Sequence, residues 1–450
     1  MRFYSKLFDF VNSKNKLPEI ALKSGQSLFL KVASVVVNYL FLYIITSNLG
    51  LESWGVFAIC LSVVQFIGLF GNFGVNIALV KTIASNYKSR TKQLYLSILK
   101  FIIPFNILIT ILAFFSSTYV DQMLLKDGVS ILLELRITSL GILPMSLITI
   151  NGGFFRGKKN LISFYFFTTF GKFLLSLLFT FIFLYFLGSH SYIIILSFVS
   201  SLYILCFFSI QNVFRILKKE KMSGNEELIL DMKTFFKTSF SMFLGNFVNA
   251  GTLFAITFIS GILLTKEQVG IFDSVFRLAK VLNIILFAIN TISGPIFARG
   301  KHDLKILKQK VHESSKLIFI STIVTVAFLI PLCYYIIQFL EYEDSDFVFN
   351  LFLILLLGQL IMNLTGSIGV LMNMTGYNDV LKNFALFSFV FTTTGLYLVI
   401  PIYGIMGTSI IICLNNLIIN GCSVMYMYGK TNISTIYNPF ARVVKLNSNA

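Results

Sequence analysis

Two short stretches of the chain read alike and decide how the rest is interpreted: LESWGVFAI at Leu51–Ile59 and KEQVGIFDS at Lys266–Ser274. Both contain the pattern Glu-x-x-Gly-[Val/Ile]-Phe, and their glycines, Gly55 and Gly270, are 215 residues apart. Each stretch follows one long apolar run and opens the next. A match at the same place in two successive halves of the chain predicts that the protein consists of two repeats.

The amino-acid composition is typical of a protein that lies largely within a lipid bilayer. Hydrophobic residues make up 56% of the 450 positions and charged residues only 12%, whereas soluble domains carry about 25% charged residues. The apolar residues form blocks of about 20 residues, which is the length that a helix needs to cross the hydrocarbon core. The predicted fold class is therefore an all-α integral membrane protein.

Twelve transmembrane helices are predicted, six in each half of the chain. Their limits are Ser27–Asn48, Gly55–Val80, Phe101–Tyr119, Val129–Gly152, Leu161–Leu187, Tyr192–Phe214, Thr238–Leu264, Gly270–Phe297, Leu317–Leu340, Phe347–Met374, Asn383–Pro401 and Ile405–Met427. Six is an even number, so the halves are expected to be parallel repeats, related by an axis along the membrane normal. The predicted domains are a cytoplasmic N-terminal arm (1–26), an N-lobe with helices 1–6 (27–214), a basic cytoplasmic linker (215–237), a C-lobe with helices 7–12 (238–428) and a cytoplasmic tail (429–450).

The distribution of basic residues predicts the orientation of these helices. Of the 36 lysines and arginines, 29 fall in the loops and termini on one side, while only Lys126 and Lys266 fall in the loops on the other side. Cytoplasmic loops carry such an excess, so both termini are predicted to be cytoplasmic. The net charge of +17 is then explained by membrane topology, and no nucleic-acid partner is expected.

The sequence contains no pattern that is typical of catalysis or metal binding. The five cysteines lie in apolar spans without a CxxC spacing, and the three histidines lie in separate loops. No P-loop and no nucleophile with a nearby base is visible. The sequence therefore predicts neither an enzyme nor a bound cofactor or metal.

Five cations interrupt the predicted spans and are the candidate binding residues: Lys31, Arg136, Lys172, Arg277 and Lys280. A cation that faces lipid at the centre of a helix costs about 2.5–3.5 kcal/mol, so these side chains are expected to face the interior of the bundle. Lys280 lies about 15 Å into its span at a rise of 1.5 Å per residue, on a helical stripe that runs from Asp273 to Thr291. Because arginine and lysine both bind phosphate, the cations indicate an anionic passenger such as pyrophosphate.

A purely structural interpretation of these cations stays open. Asp273 precedes Arg277 by one helical turn and could neutralise it, and Glu134 is close in sequence to Arg136. Lys31 is near the start of its span, where a lysine can reach the cytoplasmic interface. The spans nevertheless hold five cations against two carboxylates, Glu134 and Asp273. A transporter of cationic solutes should carry more intramembrane carboxylates.

Several amide side chains within the spans are candidates for contacts with sugar hydroxyls or with neighbouring helices. Those with the strongest claim are Asn38, Gln65, Asn246, Asn249 and Asn283. Interhelical hydrogen bonds of this kind contribute about 0.6 kcal/mol each. Both interpretations remain open from the sequence.

Four segments of the chain carry motifs in a recognisable order. In the first half, Gly50–Ala84 has a Gly-x-Phe that opens the second helix and an alanine-bearing turn that leads to a basic loop. In the second half, Gln268–Gly300 is the matching segment, with Pro-x-Phe-Ala near its end. The segments NMTGYNDVLKN at Asn373–Asn383 and LVIPIYGIMGTSIII at Leu398–Ile412 cover the region from the tenth to the twelfth helix. Together these segments resemble those of the polysaccharide flippases in the multidrug/oligosaccharidyl-lipid/polysaccharide exporter superfamily.

This resemblance implies two six-helix lobes around a central cavity and transport by alternating access. The O-antigen-type members of the family carry an undecaprenyl-pyrophosphate-linked oligosaccharide from the cytoplasmic to the outer leaflet, in lipopolysaccharide and other polysaccharide biosynthesis. The partners expected are that lipid-linked oligosaccharide, membrane lipids and the polysaccharide polymerase machinery. The expected location is the bacterial cytoplasmic (inner) membrane, where the protein would act as a monomer.

Other functions remain open from the sequence. Within the same superfamily, these are a cation-coupled antiporter for small solutes or drugs and a lipid II flippase. From another class, a polysaccharide polymerase or ligase can also have about twelve spans, although such enzymes usually present a long outer loop with catalytic basic residues, and all the outer loops predicted here are short.

Overall fold

The computed structural model describes residues 17–84, 91–126, 128–219, 232–300, 303–340 and 342–439. Most of the predicted N-terminal arm, the centre of the basic linker and the end of the tail lie outside these ranges. Every regular element in the described ranges is helical, as an all-α fold predicts. The largest fully buried side chains are mostly aromatic or aliphatic, for example Trp54, Phe154 and Phe352, so the helices pack on one another through apolar faces.

The helices, numbered here in chain order, are given with their bounds. They are α1 Leu17–Asn72, α2 Val75–Ala84, α3 Thr91–Met123, α4 Leu132–Leu140, α5 Ile142–Gly157, α6 Leu161–Tyr165, α7 Gly171–Leu187, α8 Tyr192–Lys219, α9 Met232–Leu263, α10 Lys266–Lys280, α11 Asn283–Gly300, α12 Leu304–Phe339, α13 Ser345–Leu364, α14 Ile368–Thr375 and α15 Asn378–Thr431. A π-helical turn, Phe166–Phe170, joins α6 to α7.

The described helices are sufficient for the twelve predicted crossings. Nine helical stretches are long and apolar enough to span a membrane, and the pair α10 and α11 passes the same test together. Two of the nine contain a non-helical glycine, Gly50 in α1 and Gly404 in α15, so each comprises two spans. The glycines have φ values of 80° and 55°, a left-handed region that favours glycine. The helical path therefore breaks at these two points.

The predicted limits differ from the structure in several places. The second span is interrupted at residues 73–74, between α1 and α2. The eighth span is not continuous, because α10 ends at Lys280 and α11 continues after a bend of 46°. The tenth span is interrupted at Thr365–Ser367, between α13 and α14. The predicted basic loops before spans 3 and 9 are partly helical, since α3 begins at Thr91 and α12 at Leu304. An apolar template detects only the portion of a helix that lies in hydrocarbon and is insensitive to breaks within apolar sequence.

Residue contacts divide the chain into two compact units. The first comprises residues 1–274 and 396–405, and the second comprises residues 275–395 and 406–450. The first unit therefore contains α9 and the start of α10 together with α1–α8. In the second unit, a buried apolar cluster joins α11, α12, α14 and α15 through Phe297, Val311, Leu371 and Met427. The residue bounds of the two predicted lobes, 27–214 and 238–428, stay a prediction.

Candidate functional site

Lys172 is a buried cation inside the first unit. It is the second residue of α7, directly after the π-helical turn, and only 7% of its surface is exposed. Its Nζ lies 3.2 Å from the thioether Sδ of Met145 on α5, and a thioether is a weak acceptor. Within the described residues Lys172 contacts no carboxylate. A buried ammonium group with so weak a partner is rare in a membrane protein and usually has a functional role.

Arg136 lies on α4 and is exposed. Its guanidinium carbon is 5.4 Å from the centroid of the Phe114 ring on α3, a cation–π distance. The nearby Glu134 is buried and accepts a hydrogen bond of 2.6 Å from the Ser191 hydroxyl. Among the residues that the structure describes, the arginine contacts no carboxylate, so the pairing with Glu134 that its sequence position allowed does not form.

Arg277 and Lys280 lie on the last turn of α10, and both are half-buried. The Nζ of Lys280 is 3.8 Å from the centroid of the Phe276 ring. Lys280 belongs to the last turn of α10, where the helix dipole favours positive charge. The predicted stripe from Asp273 to Thr291 is interrupted here, since it assumed one continuous helix.

Lys31 lies in the first span and is half-buried, and its carbonyl accepts a hydrogen bond of 2.6 Å from the Ser34 hydroxyl.

The side chains of the candidate amides differ in how much of their surface is exposed. Asn38 is buried, Asn246 is half-buried, and Gln65 and Asn249 are exposed.

Asn283 has a defined structural role in the second unit. Its Nδ2 donates to Gln359 Oε1 at 2.7 Å, and its Oδ1 accepts from Asn363 Nδ2 at 2.8 Å. Gln359 and Asn363 both lie on α13, so the first residue of α11 is held to α13 by two amide hydrogen bonds. Asn283 therefore makes hydrogen bonds between helices, which is one of the two roles that the sequence left open.

The two copies of the repeated motif contact each other, which the sequence did not predict. A Cβ atom on Gly55 would lie 1.7 Å from the Lys266 carbonyl oxygen, and one on Gly270 would lie 2.2 Å from the Leu51 carbonyl oxygen. The backbones of α1 and α10 therefore touch at both glycines. We call this crossing, formed by residues 51–59 and 266–274, the repeat contact.

A hydrogen bond and two lysines reinforce the repeat contact within the first unit. Trp54 Nε1 donates to Asp273 Oδ2 at 3.1 Å. Lys126 donates to the carbonyl of Leu263 at the end of α9, and Lys266 donates to the carbonyl of Leu124 just after α3. The last carbonyls of a helix lack partners within the helix, and each lysine caps one helix end. The two lysines in the predicted outside loops are thus reciprocal helix caps.

The sequence does carry a signal for these two residues. Lys126 and Lys266 are the exceptions to the positive-inside distribution, and Lys266 is fully buried. Charged residues that depart from a topological rule are expected to have a local reason.

The comparisons with known proteins agree with this architecture. The family model described as "Polysaccharide biosynthesis protein" matches residues 23–301. No curated protein matches the sequence significantly.

Several solved structures are similar to the chain in fold. An inward-facing multidrug resistance MATE family transporter of the MOP superfamily has 13% identity and a TM-score of 0.72, with 90% of this chain and 94% of that chain covered. The lipid II flippase MurJ in an inward closed conformation has 14% identity and a TM-score of 0.68, with 90% and 87% covered. A MOP superfamily transporter from Pyrococcus furiosus has 14% identity and a TM-score of 0.61, with 91% and 94% covered.

Proposed function

Because the chain belongs to the family of polysaccharide biosynthesis proteins, we propose that it is a flippase for a lipid-linked oligosaccharide. The passenger is an undecaprenyl-pyrophosphate-linked oligosaccharide, of the kind used for O-antigen and lipopolysaccharide. It is moved from the cytoplasmic to the outer leaflet of the bacterial inner membrane by alternating access. The protein is a transporter rather than an enzyme, and both its termini are cytoplasmic.

The observation that carries this proposal is that Lys172 is buried in the first unit and contacts no carboxylate among the residues that the structure describes. A lysine at membrane depth is normally paired with a carboxylate or lines a pathway for a charged group. The contact of Lys172 with Met145 supplies no negative charge. A pyrophosphate would supply that charge, and lysine is a common ligand of phosphate oxygens.

The carboxylates of the spans support an anionic rather than a cationic passenger. Glu134 accepts from Ser191, and Asp273 accepts from Trp54. Both are therefore engaged in bonds that hold helices together in the first unit. A drug or cation antiporter needs carboxylates that can bind and release a cation or proton, which makes that alternative less favourable than an anion carrier.

The other predicted residues contribute to the same proposal. Lys280, Arg277, Arg136 and Lys31 are the other cations that we expect to contact anionic groups of the passenger. Exposed amides such as Gln65 and Asn249 are available for sugar hydroxyls. The flippase acts as a monomer and delivers its passenger to polysaccharide polymerase machinery.

Complementation of a deletion strain tests the proposal. We expect Lys172→Ala and Lys280→Ala to reduce surface polysaccharide at least tenfold while the protein inserts into the membrane at its usual level. Lys305→Ala is the matched control, because Lys305 is exposed at the start of α12 and its removal should change nothing. Normal polysaccharide in both variants and in the double variant would show that the cations do not bind the passenger.

A further inference from the structure

We infer that the π-helical turn Phe166–Phe170 positions Lys172 against α5, and that Gly171 keeps this turn open because it has no side chain. The inference rests on the proposed function, since it concerns the cation assigned to the passenger. It goes beyond that function because it identifies a positioning residue that the binding argument does not use. All the contacts that carry it lie within the first unit.

The turn contains one residue more than an ordinary helical turn. The amide of Gly171 donates to the carbonyl oxygen of Phe166, five residues earlier, whereas an α-helix joins residues four apart. Single π-helical turns inside α-helices are frequent at functional sites. If this turn became α-helical with the same number of residues, α7 would rotate by about 100° relative to α6 and shift by about 1.5 Å.

Gly171 supplies the space that the widened turn needs. A Cβ atom on Gly171 would lie 2.8 Å from the Phe166 carbonyl oxygen, which is the acceptor of its own amide. The φ value of Gly171 is −62°, an angle open to any residue, so the glycine is required for space rather than for its backbone angle. Alanine fits well inside a regular α-helix. An alanine at this position would therefore penalise the π-helical turn relative to an α-helical one.

Two threonine hydroxyl groups support the same turn. Thr168 Oγ1 donates to the carbonyl oxygen of Phe164, and Thr169 Oγ1 donates to the carbonyl oxygen of Tyr165, both at 2.6 Å. In membrane helices, such side-chain donors satisfy carbonyl groups where the regular pattern of amide bonds is interrupted. The turn is thus stabilised by hydrogen bonds at its start and by free space at its end.

The widened turn keeps one face of the helix directed at α5. At its start, the Phe167 ring stacks on the Phe155 ring of α5, with centroids 5.6 Å apart. After it, Lys172 Nζ reaches Met145 Sδ of α5 at 3.2 Å. Phe167 and Lys172 are five residues apart, which would separate them by about 140° around an uninterrupted α-helix. The extra residue in the turn brings both side chains to the same face.

This polar face continues along α7. Ser176 and Thr180 follow Lys172 at intervals of four residues and are fully buried, and Ser176 Oγ lies 3.0 Å from Ser201 Oγ on α8. A rotation of α7 by about 100° would bring the preceding residue of the chain to each of these positions. Gly171 would then take the place of Lys172. The position of the cation therefore depends on the turn remaining π-helical.

Cross-linking measures the direction of Lys172 without relying on transport. In a background in which the native cysteines are replaced by alanine, Met145→Cys is paired with Lys172→Cys and treated with a short thiol-bridging reagent that enters membranes. We expect efficient linking in this parent and at least a fivefold lower yield when Gly171→Ala is added. Phe155→Cys with Phe167→Cys, at the start of the turn, is the control pair and should link equally in both backgrounds.

A compensating deletion separates the turn from ordinary packing. Deleting Thr169 removes the extra residue, so a continuous α-helix would again direct Lys172 at α5. We expect this deletion, combined with Gly171→Ala, to restore the cross-link. The added methyl group would also lie 3.0 Å from Leu205 Cδ2 on α8. Restoration by Leu205→Ala instead of the deletion, failure of the deletion to restore the link, or an unchanged link in Gly171→Ala would each overturn the inference.

Transport distinguishes this inference from the proposed function. With Lys172 in place, Gly171→Ala should lower the flipping of a lipid-linked oligosaccharide in proteoliposomes at least tenfold, and the added deletion of Thr169 should recover at least half of the parent rate. Gly245→Ala is the matched control, because nothing lies within 4 Å of its methyl group, and it should flip at the parent rate. If the cross-links change as expected while the parent flips no oligosaccharide, the proposed function is wrong and the inference stands.

Discussion

At the residue scale, the buried lysines have two distinct environments. Lys266 is fully buried and donates to a backbone carbonyl, so its charge has a strong acceptor. Lys172 is also buried but meets a thioether. The bond from Lys266 to a carbonyl stabilises the fold. The thioether is a weak acceptor for the Lys172 ammonium group, and a bound anion would be a stronger one. The sequence placed Lys172 within a span and Lys266 in an outer loop, and it predicted the partner of neither side chain.

Replacing Lys266 by methionine should destabilise the protein without changing a candidate binding residue. Lys266→Met keeps the length of the side chain but leaves the Leu124 carbonyl without its donor, and an unmet buried acceptor costs about 1–3 kcal/mol. Thermal unfolding in detergent should show a lower midpoint. Lys305→Met, at an exposed site, is the control, and equal midpoints in the two variants would mean that the cap contributes nothing.

At the element scale, the repeated motif identified the correct residues but not their role. Gly55 and Gly270 were predicted to mark corresponding places in two repeats, and in the structure they are the points where α1 and α10 touch. A sequence pattern can show that two segments are alike, but it cannot show that they face each other. The break after Lys280 was missed for a similar reason. No glycine or proline lies between Gly270 and Asn283, so the usual signal of a broken helix is absent.

The close contact at Gly55 makes a sharp prediction for its replacement by alanine. Gly55→Ala would bring a methyl group within 1.7 Å of the Lys266 carbonyl oxygen, which the backbone must move to relieve. We expect a strong loss of monodisperse protein in size-exclusion chromatography. Gly245→Ala is the matched control on α9, because nothing lies within 4 Å of the added methyl group and alanine favours helix by about 1 kcal/mol. Equal yields of the two variants would refute the contact.

The amide bonds of Asn283 give a second prediction at this scale. Asn283→Leu removes both bonds to α13 and leaves Gln359 and Asn363 with unmet polar groups. We expect the flipping rate to fall while the protein still inserts into the membrane at its usual level. An unchanged flipping rate would mean that this attachment of α11 has no role in transport.

At the scale of the whole molecule, the fold class, the twelve spans and the breaks near Gly50 and Gly404 followed from apolar lengths and turn residues. The contents of the two compact units did not. They depend on which helix faces fit together, and apolar faces of similar composition are not distinguished by hydropathy. The binding roles of the candidate cations remain a prediction because they require a passenger that the chain alone does not reveal.

The predicted orientation can be checked in whole cells with a thiol reagent that does not cross membranes. Ser189→Cys, in the exposed loop between α7 and α8, should be labelled from outside. Asn378→Cys, exposed at the start of α15, should be labelled only after the membrane is permeabilised. The opposite pattern would reverse the topology and place both termini outside.

The reciprocal lysine caps also bear on how the protein is made. Lys126, Lys266 and both of their acceptor carbonyls lie before residue 275, so none of them waits for a residue of the second unit. Segments generally fold as units while synthesis continues. The repeat contact can therefore close while the second unit is still being translated, and the segment 396–405 joins a body that is already assembled.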